Sequence, residues 1–207
     1  MKPEDYPQLV EALCAACHRF GERGWCRATS GNFSTRVDNG HCLITRSGCD
    51  KSRLAVHDLM ICDSRGKALD QACQSSAETP LHARLYALDP SIGAVLHTHS
   101  VTGTTLSRCS GPHLYVRGYE MQKALAGITS HEEQVVVRVF DNNQDMPALA
   151  EELTADWNAG NLHAPGFLIA GHGLYAWGRD VCEAERHVEG FEFLFDCLWQ
   201  EKLAGLS

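Results

Sequence analysis

Apolar and polar positions along the chain alternate between two periods, and the period marks each element. From Tyr6 to Arg23 apolar residues return every three or four positions, which predicts an amphipathic helix ended by Gly21 and Gly24. Phe33–Val37 and His41–Thr45 follow as strands flanking Asp38-Asn39-Gly40, a strong hairpin turn. A second short hairpin is expected from Leu59–Cys62 and Lys67–Leu69 around Asp63-Ser64-Arg65-Gly66. Thr79-Pro80 opens a helix with a hydroxyl cap and a proline in the first turn, and that helix stops at Asp89-Pro90.

The second half continues the alternation. An apolar strand from Ile92 to Leu96 runs into His97-Thr98-His99-Ser100, and a helix is expected from Ser100 to Arg108. Leu114–Val116 reads as a short strand, Glu120–Ala126 as a helical turn or two, and the β-branched run Val135–Phe140 as a buried strand. Asp145 caps a helix carrying Leu149, Leu153 and Trp157. Phe167–Ala170 and Leu174–Trp177 are strands around Gly171-His172-Gly173, and a long amphipathic helix spans Asp180 to Leu203. The order predicts one α/β domain over residues 1–207, with a single mixed, largely antiparallel sheet and helices on its faces.

Composition narrows the function classes. The 207 residues are 44% hydrophobic and 21% charged, the profile of an ordinary globular protein. A net charge of −8 argues against broad binding to nucleic acid or anionic membrane, while leaving room for a local anion pocket. No apolar run approaches a membrane span and no export signal precedes the first helix, so a cytoplasmic protein is expected. Ten cysteines are spread through the predicted elements; Cys14-Ala-Ala-Cys17 lies on the apolar side of a helix and reads as buried reduced thiols.

The chemistry collects at strand ends. His97 and His99 lie two apart at the end of a strand, so their imidazoles leave from one face and can chelate one divalent metal ion. His172, between two glycines at a strand-to-strand turn, is the candidate third nitrogen; the other eight histidines read as surface or incidental. Ser30-Gly31-Asn32, Ser47-Gly48 and Ser75-Ser76 are turns with N–H groups and hydroxyls suited to phosphate oxygens. Glu78 and Glu120 are the carboxylates near this chemistry and are candidate general bases.

Taken in order, Ser30-Gly31-Asn32-Phe33-Ser34, Ser47-Gly48, Ser75-Ser76, His97-Thr98-His99-Ser100 and Gly171-His172-Gly173-Leu174 resemble the class II aldolase family across nearly the whole chain. The resemblance implies an α/β/α sandwich, a homotetramer, Zn2+ on His97, His99 and His172, and a phosphate pocket built from the serine and glycine turns. Glu78-Thr79-Pro80-Leu81, Gly118–Leu125 and His172–Gly178 resemble the branch that dehydrates 2-keto sugar 1-phosphates, which implies Glu120 as acid/base. Aldolases of the family place their glutamate directly after the paired serines; here Ala77 intervenes before Glu78, which assigns Glu78 to substrate or metal-side electrostatics. A sugar-phosphate aldolase or epimerase is the alternative, and a non-catalytic binding module like the adducin head a more distant one.

Overall fold

The computed structural model describes residues 1–206. Eight strands form one sheet: β1 Asn32–Arg36, β2 His41–Thr45, β3 Leu59–Asp63, β4 Ala94–Thr98, β5 His113–Val116, β6 Val135–Phe140, β7 Gly166–Ile169 and β8 Gly173–Gly178. The helices are α1 Pro7–Glu22, α2 Thr79–Leu88, α3 Val101–Cys109, α4 Met146–Asn158 and α5 Val181–Ala204. In space the strands run β3-β2-β1-β4-β8-β7-β6-β5. All neighbours are antiparallel except β6 and β7, the one pair joined by a crossover helix, α4. The expected mixed, largely antiparallel sheet is present.

Alternation along β4 shows how the layers form. Ala94 and Leu96 face a core shared with α1, α3 and α5, whereas Val95 faces a second core shared with α2 and α4. Helices therefore cover both faces, giving three layers. The same two-residue period sends His97 to the α2 side with Val95, and Thr98 to the α5 side with Leu96. Central strands buried on both faces explain the nearly continuous apolar runs of β4, β7 and β8.

Local departures have local causes. Lys67–Leu69 is too short to count as a strand but pairs with β3 as expected. Asp63 N–H donates to Lys67 C=O and Leu69 N–H to Ile61 C=O, both at 2.9 Å, on either side of a bridge from Cys62 to Ala68. The Asp63 carboxylate takes the Arg65 and Lys67 amides of the turn. Thr79 is not the cap of α2. Glu78 already has helical dihedrals, and Thr79 N–H donates to Ser76 C=O at 3.1 Å, so Thr79 falls inside the first turn with its hydroxyl buried and unpartnered. Ser100, expected inside α3, caps it instead, its Oγ accepting from Gly103 N–H at 3.0 Å. Glu120–Ala124 is a 3-10 turn. Cys17 is fully buried, and burial pushes its thiol well above the usual range, in keeping with an inert core thiol.

Candidate metal centre

The neighbours β4 and β8 bring the histidines together. His97 is the next-to-last residue of β4, His99 lies just beyond the strand, and His172 sits on the turn between β7 and β8. His99 Nε2 lies 2.8 Å and His172 Nε2 3.4 Å from His97 Nε2. Glu78, at the start of α2, completes the group: its Oε1 is 2.8 Å from His172 Nε2 and 3.7 Å from His97 Nε2. One ligand atom from each of the four residues lies within 4.8 Å of the others. Of the two candidate carboxylates, the structure brings Glu78 to the histidines.

The protonation of this group suits a cation. His97 Nδ1–H donates to Leu174 C=O at 2.9 Å, which leaves Nε2 as a lone pair aimed at the other donors. The ring is fully buried and stacked on Tyr175 at 3.9 Å between centroids. Burial pushes His97 well below the usual histidine range and His99 down to about 4, so both rings are neutral at pH 7. Burial alone would raise Glu78, but its hydrogen bond with His172 and its attraction to the surrounding imidazoles outweigh this and hold it at about 2. Without an ion these groups hydrogen-bond to one another, His172 to Glu78 and His99 to His97; on losing those protons the same four atoms can all turn to one cation. The donor set fits a divalent transition metal.

Behind Glu78 runs a buried chain of hydrogen bonds that sequence reasoning did not find. Asn32 Nδ2 donates to Glu78 Oε2, and Asn32 Oδ1 accepts from His82 Nε2–H. His82 Nδ1 accepts from Ser34 Oγ at 2.7 Å, and Ser34 in turn accepts from Tyr86 O–H at 2.7 Å. Every donor points toward the carboxylate, so the chain holds Glu78 ionised and in one rotamer. Burial pushes His82 down to about 4, which keeps it neutral, and the partners on its two nitrogens select the tautomer. His82 is thus neither surface nor incidental, and neither is buried His187, whose Nδ1–H donates to Trp177 C=O at 2.6 Å. A signal was present: Asn32 and Ser34 are polar at alternate positions of a core strand, and His82 and Tyr86 are four apart on one helix. Nothing in either pattern alone shows that the two face each other.

The three serine turns meet beside this centre. Ser47 N–H donates to Gln74 C=O at 3.0 Å, tying the second turn to the third, and Ser76 Oγ accepts from Glu78 N–H at 3.3 Å. The first turn abuts the metal strand: Gly31 has a φ of +78°, and a Cβ there would stand 2.6 Å from His97 C=O, so only glycine fits. The side chain of Asn32 is engaged with Glu78 and His82, whereas Ser30, Ser47 and Gly48 stay open to solvent or partly so. A cavity of about 660 Å³ opens over Glu78, His99 and His172, walled by Thr104, Asn142 and Gln144.

Glu120 lies elsewhere. Its side chain is 72% exposed and is held by Lys123 at 2.7 Å and His131 at 3.0 Å, on a turn packed against α5. It belongs neither to the histidine group nor to the wall of the cavity.

Sheet order, helical layers and a three-histidine, one-carboxylate centre at the end of β4 define the class. Residues 11–199 match the model of the Class II Aldolase and Adducin N-terminal domain, and the chain belongs to that family. Among its relatives, a methylthioribulose-1-phosphate dehydratase of Pectobacterium atrosepticum is 52% identical over 95% of this chain and 96% of its own. The dehydratase of the same name from Marinobacter nauticus is 50% identical over 93% of both chains. Among solved structures, L-fuculose-1-phosphate aldolase from Thermus thermophilus superposes with a TM-score of 0.75 at 24% identity, covering 96% of each chain. A sugar-phosphate aldolase from Thermotoga maritima gives a TM-score of 0.69 at 17% identity, over 96% of this chain and 97% of its own. At such identities these two structures establish the shared fold.

Proposed function

We propose that this chain dehydrates 5-methylthioribulose 1-phosphate to 2,3-diketo-5-methylthiopentyl 1-phosphate, a step of methionine salvage, as a cytoplasmic homotetramer holding one Zn2+ per subunit. The observation that carries the reading is the 52% identity, over 95% of the chain, to a dehydratase of that substrate. A cytoplasmic setting suits ten cysteines that are all free thiols.

His97, His99 and His172 hold the metal, with Glu78 beside them. Bound there, the metal supplies Lewis-acid polarisation of the substrate's C2 carbonyl, which acidifies the proton on C3. Ser30, Gly31, Asn32, Ser47, Gly48, Ser75 and Ser76 form the pocket for the 1-phosphate, Asn32 through its backbone since its side chain is engaged. Glu120 takes the C3 proton. The C4 hydroxyl leaves with a proton as water, and the resulting enol tautomerises to the 2,3-diketone, so one water is the only by-product. Because Glu120 lies outside the metal group of its own chain, it acts on the centre of a neighbouring copy in the tetramer. Exposed Met121 and Phe193, close to its turn, offer apolar surface for such a contact.

A second reading, a sugar-phosphate aldolase or epimerase, is favoured by one observation: the carboxylate at the metal group is Glu78. An adducin-head-like binding module has no use for four converging donors. Incubating the Zn2+-loaded protein with 5-methylthioribulose 1-phosphate separates the readings. A diketone lighter by one water is expected; dihydroxyacetone phosphate with an aldehyde would replace the dehydratase by an aldolase. Absence of turnover with metal bound would reject this substrate.

A further inference from the structure

The phosphate turns contain a charge that the proposed chemistry does not yet use. Lys51 is 2% exposed, which for a lysine requires compensation. Its Nζ donates to Thr29 C=O at 3.1 Å and to Cys49 C=O at 2.9 Å, with the Cys49 thiol beside it. Among the described residues it makes no ion pair with a carboxylate; the adjacent Asp50 turns out to solvent and accepts from Ser52 N–H and Oγ. The thiols around it do not supply a negative charge, since burial raises Cys26 to about 11 and raises Cys49 as well.

Its two carbonyl partners are informative. Thr29 immediately precedes Ser30-Gly31-Asn32, and Cys49 immediately follows Ser47-Gly48, so one ammonium ties the first turn to the second. Ala28 and Thr29 hold left-handed dihedrals, φ 52° and 68°, which residues other than glycine adopt only under constraint. The lysine is anchored from behind: a Cβ at Gly21 would overlap the side chain of Ser52, so the glycine of α1 is what lets this turn lie against the helix. A rigid, buried cation at the junction of two N–H-rich turns, with no anion of its own, is an arrangement completed by an anion from outside.

We infer that Lys51 is a positioning residue for the substrate's phosphoryl group, clamping the two turns at phosphate-binding separation and supplying the positive charge that the bound dianion neutralises. The inference rests on the phosphate pocket proposed above, and names the residue that gives it sign and shape. Lys51 acts through the turns, so the largest loss on its removal falls on ligands that carry a phosphate.

Inorganic phosphate is the direct probe and needs no turnover. Phosphate is expected to raise the melting temperature of the wild-type protein. Lys51→Met should weaken that phosphate dependence at least about tenfold, while Lys51→Arg, which keeps the charge, recovers part of it. With substrate, Lys51→Met should raise KM for the phosphorylated sugar while leaving kcat/KM for the unphosphorylated sugar and the metal content near wild type. If Lys51→Met lowers the melting temperature but binds phosphate like wild type, the lysine is only a structural clamp and the inference falls. Should the variant fail to fold, the lysine ammonium ¹⁵N resonance of the unmodified protein gives the answer: phosphate must move the Lys51 signal, and an unmoved signal overturns the inference. A phosphate response without dehydration would sink the substrate assignment and leave Lys51 standing.

Discussion

Glu78 and Glu120 are the same side chain in opposite surroundings. Glu78 is largely buried, accepts from His172 and Asn32, and is backed by a chain running through His82 and Ser34 to Tyr86. Glu120 stands in solvent between a lysine and a histidine, and Lys123 first, then His131, draws its carboxyl below the usual range. The buried carboxylate has lost the freedom to move and is fixed for holding charge. The exposed one keeps its freedom and lacks a desolvated site, so as a base it needs a second surface to close over it. On the proposed function, the difference separates electrostatics built into one chain from a proton-transfer group that a second copy completes.

Exchanging the charges tests that division. The largest effect is expected from Glu120→Gln: turnover falls by about two orders of magnitude or more while metal content is kept. Mixing this variant with His172→Ala, inactive for want of metal, should restore activity if the two residues meet across an interface; silence in the mixed oligomers would confine Glu120 to its own chain. Glu78→Gln should act on the metal, lowering its affinity by about 10- to 100-fold, measured by competition with a chelator. Near-normal affinity combined with lost turnover would reverse the two roles.

The smallest effect on activity is expected behind the metal strand, where Glu192 of α5 accepts from Thr98 Oγ1 at 3.0 Å. Burial raises this carboxyl to about 7, the hydrogen bonds from Ser100 and Thr98 opposing the shift and Asp196 adding to it. A pKa raised in the folded state means that the native protein holds the proton more tightly than the unfolded chain does. The stabilisation is complete below about 4.5 and is lost as pH rises through about 7. Denaturant melts at pH 5 and pH 8 should therefore show the wild type losing about 3 kcal/mol relative to Glu192→Gln. Parallel pH profiles for the two proteins would show that the carboxyl stays charged throughout.

Reading order and spacing reached far into this molecule because its architecture is written in two local periods. The two-residue period of β4 put His97 and His99 at one strand end, and Gly171-His172-Gly173 marked a turn whatever the strands around it did. Where local chemistry competes, the reading slipped. Thr79 looked like a cap only because the turn begun at Ser76 is not visible from sequence.

The sequence by itself determined the elements, the alternation that layers them and the residue types able to hold a metal, since each depends on contacts a few residues long. Only the tertiary structure decided which distant groups meet. Glu78 joins His97 and His172 because α2 packs over β1 and β4; Asn32 finds His82 because strand and helix faces coincide; Lys51 bridges two turns separated by some twenty residues of chain. Such meetings depend on sheet order, β1 beside β4 beside β8, and that order follows from burying both faces of the whole sheet at once.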